Sequence, residues 1–169
     1  MRRVLVQVTS LALFPALMAF AASSDFFTMT ISNRVSLLLI AGFCVLALLT
    51  GMSLAEFGWH IAAGALVLAV AFGFFACGWI GGGDAKLAAA TGLWFGFAHL
   101  FDYDVYASIV GGALTLLLLK VRAWPLPALL ARQEWAQRLH EPGGDIPYGI
   151  ALAAGALLVY PHTAWMTGF

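Results

Sequence analysis

The chain has 169 residues, 63% of them hydrophobic and 9% charged, with a mean hydropathy of +0.95. That lies outside the soluble globular range and defines an integral membrane protein. Eight Lys and Arg offset eight Asp and Glu to a net charge of zero, with no long basic run, which excludes the electrostatic footprint of a nucleic-acid-binding protein.

A spanning helix needs roughly 20 predominantly apolar residues. Runs of this kind predict an all-α fold: a polytopic membrane helical bundle of about six transmembrane helices, forming one membrane-embedded domain over residues 1–169. The first run, 4–22, is followed by the polar stretch SSDFFTMTISNR. Its start, MRR before an apolar stretch and AFAA, also has the shape of a secretory signal peptide. Cleavage near Ala21 would turn the six remaining basic residues outward, so the run is read as a retained helix. The second run, 35–50, ends at GMSLAEFG, and the third, 59–76, at GWIGGGD. The fourth, 85–100, stops at FDYD, because two aspartates in three residues do not belong in hydrocarbon. The fifth, 105–119, ends at KVRAWPLP. The segment 122–145 is too charged to span. Leu130 or Ala131, Trp135 and Leu139 recur near helical spacing opposite Arg132 and Arg138, which fits either a helix lying in the interface or a solvated loop. The sixth run, 146–160, opens with IPYG and closes at Pro161. Cys44 and Cys77 form no CxxC pair and read as buried small hydrophobes. No metal site and no cofactor is expected.

Cytoplasmic loops carry the excess of Lys and Arg. An external N-terminus places Arg34, Lys86, Lys120, Arg122, Arg132 and Arg138 inside and leaves only Arg2 and Arg3 outside. Asp25 follows the first run and Asp84 the third, so the chain returns to the same face between them, and in this orientation that face is cytoplasmic. Glu56, Asp102 and Asp104 fall on the opposite side, while Glu134, Glu141 and Asp145 belong to the charged loop. Asp25 and Asp84 are therefore the matched pair.

Two neighbouring carboxylates share a proton because like charges so close cannot both ionise, and such a pair supports peptide hydrolysis by an aspartic mechanism. One is the base that activates water; the other is the acid that serves the oxyanion and the leaving amine. Gly81, Gly82 and Gly83 would then admit a substrate backbone beside Asp84 and tolerate unusual dihedral angles. The structural alternatives are that Asp84 is a helix N-cap, Asp25 a solvated loop acid, Asn33 a cap before VSLLL, and Lys86 a topology anchor.

The segment GGGDAKL resembles the GxGD signature of membrane aspartic proteases, and GxGDxKL in particular resembles that of the type IV prepilin peptidases. Upstream, DFFTMTISNR is similar to that family's first acid motif, an Asp followed by Ile-Pro-Asn. Ile31 and Asn33 match, with Ser32 in place of the proline and FFTMT in place of the usual basic residues. IPYGIALAAGALL resembles the family's last span. The resemblance implies Asp25 and Asp84 as catalytic, with Gly81, Gly83, Lys86 and Asn33 as motif or substrate-approach residues. It further implies six helices with both acids at the cytoplasmic rim of the bacterial inner membrane. The chain has neither the room nor the paired CxxC motifs for a methyltransferase segment, so it is similar to the short CpaA/TadV-type branch. That branch implies leader removal from Flp-type prepilins and pseudopilins of tight-adherence systems, the leader peptides and the lipid bilayer being the partners. Oligomeric state is left open. The alternatives are a non-catalytic pilus-assembly membrane subunit or a small proton-coupled transporter. The transporter calls for an ionisable residue in mid-span, a place that only His60 approaches.

Overall fold

The computed structural model describes the backbone of residues 2–167 and the side chains of residues 9 and 11–167. Its helices are α1 (Arg2–Thr28), α2 (Asn33–Thr50), α3 (Leu54–Ala76), α4 (Gly82–Arg122), α5 (Glu134–His140), α6 (Tyr148–Val159) and α7 (Ala164–Thr167). A 3-10 turn at Tyr160–His162 joins the last two. Helices α1 to α4 are long and apolar enough to cross a membrane, and α6 with the turn after it is a shorter apolar helix.

The fourth and fifth predicted spans form a single helical element, α4, broken at Gly96 (φ 58°, ψ −175°). Its limbs, 82–95 and 97–122, fold back on each other. A Cβ on Gly92 would lie 3.6 Å from Leu100 Cδ1, and the rings of Phe95 and Tyr103 are 5.4 Å apart. In an unbroken helix Gly92 and Leu100 would be separated by about 12 Å along the axis. The predicted break at FDYD is therefore corrected: the reversal needs a backbone conformation that is essentially confined to glycine, and FDYD offers none. Asp102 and Asp104 stand, exposed, early in the second limb. A helix end frees carbonyls of the preceding turn, and side chains cover two of them. Trp165 Nε1 donates to Trp94 O at 2.7 Å. His60 Nδ1 lies 2.7 Å from Leu93 O and carries the proton, because a carbonyl only accepts.

Helix α1 runs past the predicted end at 22 to Thr28, so Asp25 is a helical residue rather than a loop acid. Phe14, Met18, Ala21 and Asp25 are its buried face, the helical stripe ending at the acid. Val35, Leu39, Phe43 and Leu46 are the matching stripe of α2. Between them sits Trp94, whose ring is 4.9 Å from that of Phe14 and whose Nε1 donates to Leu39 O at 2.9 Å. Phe14 also stacks on Tyr160 at 4.4 Å. The outward faces remain apolar, with Leu48, Phe101 and Leu116 at least 70% exposed, as lipid-facing positions require. Cys44 is half-buried, but Cys77, expected inside, is exposed where α3 ends.

The segment 122–145 forms one short helix, α5, preceded by turns. Leu139 is buried as the spacing required, whereas Leu130 is 38% exposed. The half-buried Trp135 packs on Phe26, with ring centroids 5.3 Å apart, and so ties α5 to the end of α1.

Candidate active site

Asp25 is 5% exposed, and its Oδ2 accepts a hydrogen bond of 2.7 Å from the backbone N–H of Gly149. Gly149 is the second residue of α6, so that amide is one of the free donors of a helix N-terminus, where the helix dipole favours negative charge. A side chain there would have to push its neighbours aside. A Cβ on Gly149 would lie 2.6 Å from Ile31 Cδ1 and 2.8 Å from Asp25 Oδ2.

Asp84 is the third residue of α4, whose N-cap is Gly81. The predicted N-cap alternative is thus corrected in position. The carboxylate reaches back to accept from the Gly81 N–H, which is one half of a capping box. Its Oδ1 is buried and has no protein hydrogen-bond partner. Asp84 lies within electrostatic range of Asp25 and also of Asp145. The third acid had been assigned to the loop alone, and sequence spacing carried no signal for its return to the site.

The glycines before Asp84 do not serve unusual dihedral angles. None of Gly81, Gly82 and Gly83 has positive φ, and Gly81 is simply extended (φ −71°, ψ 149°). What they provide is room. A Cβ on Gly81 would lie 3.0 Å from Asp84 Oδ2, one on Gly82 3.3 Å from Phe75, and one on Gly83 3.1 Å from Ile31 Cβ. Ile31 therefore wedges between Gly83, next to Asp84, and Gly149, the donor to Asp25.

Asn33 and Lys86, singled out separately, form a pair: Lys86 Nζ donates to Asn33 Oδ1 at 2.9 Å and bridges α2 to α4. The N-cap of α2 is Ser32, whose hydroxyl accepts from Arg34 N, so the cap alternative for Asn33 is corrected. Arg122 was read only as a topology marker. Its Nε, Nη1 and Nη2 donate to the carbonyls of Leu139, Gly144 and Asp145 at 2.8, 2.9 and 2.8 Å. One guanidinium thereby straps the loop that feeds α6 onto Asp25. Among the described residues, no group of three or more His, Cys, Asp or Glu is placed to hold a metal ion.

The fold and the site together define a multi-pass helical membrane protein in which two acids from separate helices meet at one end of the bundle. A model of the type IV leader peptidase family matches residues 12–116, more than half of the chain and both acid-bearing helix ends. No curated protein and no solved structure matches. The chain belongs to the type IV leader peptidase family. Membership implies a peptidase, hence a hydrolase, set in a membrane with prepilins as its substrates.

Proposed function

We propose that the protein is a membrane aspartic endopeptidase whose catalytic pair is Asp25 and Asp84. It removes the leaders of Flp-type prepilins and pseudopilins at the cytoplasmic face of the bacterial inner membrane. The observation that carries this reading is the meeting of two carboxylates, one on the Gly149 amide and the other with a buried, unpartnered oxygen. Two acids in mutual range and withdrawn from water share a proton rather than both ionising. The ionised member takes a proton from water as the water oxygen attacks the scissile carbonyl. The protonated member donates to the developing oxyanion. As the C–N bond breaks, the departing nitrogen takes a proton and leaves as the amine, and the leader leaves as a carboxylic acid. Gly81, Gly83, Asn33 and Lys86 set the approach to the pair through the contacts described above.

The cytoplasmic assignment is supported by the cations that gather at the acid end. Lys86 bonds Asn33, Arg122 bonds the Asp145 carbonyl, and Arg138 Nη1 lies 3.5 Å from Thr28 O. The short CpaA/TadV-type branch is proposed because residues 29–32 alone join α1 to α2 and no CxxC motif occurs in the sequence. The test is co-expression with a prepilin, read by its gel shift. Asp25→Asn or Asp84→Asn should leave the precursor uncut while the variant accumulates in membranes, and Asp102→Asn should process normally. Full maturation by either catalytic variant would end this reading.

A further inference from the structure

Residues 29–32 carry the chain from α1 to α2, and they are pinned at both sides. Met29 holds a left-handed backbone conformation (φ 54°) that a side chain disfavours. Around it, Ser24 Oγ donates to Thr30 O at 2.8 Å, Thr28 Oγ1 donates to Ser24 O at 2.6 Å, and the hydroxyls of Thr28 and Thr30 are 2.8 Å apart. Ser32 then caps α2. Between these fixed points, Ile31 packs against the core.

Ile31 meets two different helix starts. Its near end lies against Gly83 in the first turn of α4, where a Cβ would stand 3.1 Å from Ile31 Cβ and 3.4 Å from Ile31 N and O. Its far end lies against Gly149 in the first turn of α6, where a Cβ would stand 2.6 Å from Ile31 Cδ1 and 2.8 Å from Asp25 Oδ2. The Ile31 methyl and the Asp25 carboxylate therefore border the same point. Gly83 is covalently next to Asp84, and the Gly149 N–H holds Asp25. One side chain thus stands between the helix start that carries Asp84 and the helix start that binds Asp25. A β-branched residue suits that place because its χ1 is stiff. Among the described residues, no hydrogen bond or ion pair joins these two turns directly, so packing sets their separation.

We propose that Ile31 is a positioning residue for peptide hydrolysis: it spaces the first turns of α4 and α6 so that Asp84 and Asp25 act as one pair. This rests on the peptidase reading above. Two carboxylates share a proton only at close range, and misplacing reacting groups by about 1 Å costs about a hundredfold in rate. Ile31 touches neither the water nor the scissile bond in this role; it acts through the acids.

The experiment is a steady-state cleavage assay with the full-length protein in proteoliposomes and a prepilin that the wild type cleaves. Loss of cleavage in the aspartate variants tests the peptidase reading separately. Rates are expressed per folded enzyme, counted as monodisperse protein recovered in detergent. Ile31→Ala should lower kcat at least about tenfold with KM within about twofold of wild type, the signature of an interaction that serves the transition state. Ile31→Val keeps the branched Cβ against Gly83 and should retain about a third of kcat or more, because the displacement is smaller. In an Asp84→Asn background the pair is already broken, so Ile31→Ala should change the residual rate by less than about twofold. The methyl added by Gly149→Ala falls in the space that Ile31→Ala empties, so the double variant should exceed either single one. A kcat near wild type in Ile31→Ala, a loss confined to KM, or an undiminished effect in the Asp84→Asn background would overturn the proposal.

Discussion

At the scale of single residues, the site depends on side chains that are missing. Gly149 leaves space for Ile31 and the Asp25 carboxylate, and Gly83 leaves space for Ile31 again. We expect Gly149→Ala to displace one of these neighbours and to lower prepilin cleavage at least about tenfold, with normal accumulation in membranes. Gly112→Ala, in open space on the same bundle, should cost nothing. Because the nearest obstacle is the Ile31 side chain, combining Gly149→Ala with Ile31→Ala should recover part of the loss, a non-additivity expected of groups in contact. Cleavage assays on the three variants check this, and full activity of Gly149→Ala would show that the amide contact to Asp25 is dispensable. The glycines and acids were legible in the sequence, but the reason for the glycines was not. A string of residues shows that a Cβ is absent without showing what it would have struck. Asn33 and Lys86 were likewise visible singly, whereas their hydrogen bond depends on two helices meeting.

At the scale of elements, the hairpin of α4 and the Arg122 strap position the acids. Gly96 holds a backbone conformation that other residues resist, and a Cβ there would also stand 3.0 Å from the His60 ring. Gly96→Ala should therefore destabilise the protein by roughly 1–3 kcal/mol, read as a lowered thermal midpoint in detergent; an unchanged midpoint would mean that the reversal does not depend on this glycine. Arg122→Ala removes three hydrogen bonds from a charged donor, each of a kind worth about 1.5–3 kcal/mol. Its expected outcome is faster proteolytic nicking within 123–145, together with reduced cleavage of prepilin. Nicking at the wild-type rate would contradict the strap. Hydropathy located α2 and α6 to within about two residues of where they lie and α3 to within about five. It misplaced the break in α4 because it read aspartates as punctuation, whereas the chain turns at the glycine that can adopt the reversal. It also ended α1 early, since a polar sequence continued the helix whose buried face carries Asp25.

At the scale of the whole molecule, the bundle brings together at one end the acids and most of the basic residues that spacing had assigned to one side. A reporter fused in the 122–145 segment should read cytoplasmic, and one near Asp102 periplasmic. The reverse pattern would remove the proposed access to cytoplasmic leaders. Parity alone foretold that Asp25 and Asp84 share an end. The contribution of α6 was less legible, because a short apolar helix gives no hint that its first amides face a carboxylate. The most direct measurement of the central claim is the cleavage rate of a purified prepilin by the protein in proteoliposomes, for Asp25→Asn, Asp84→Asn and the two combined. If the acids act as one unit, each single change should lower the rate at least about a thousandfold and the double change should lower it little further. A near-wild-type rate for either single variant, or losses that multiply in the double variant, would contradict the shared catalytic pair.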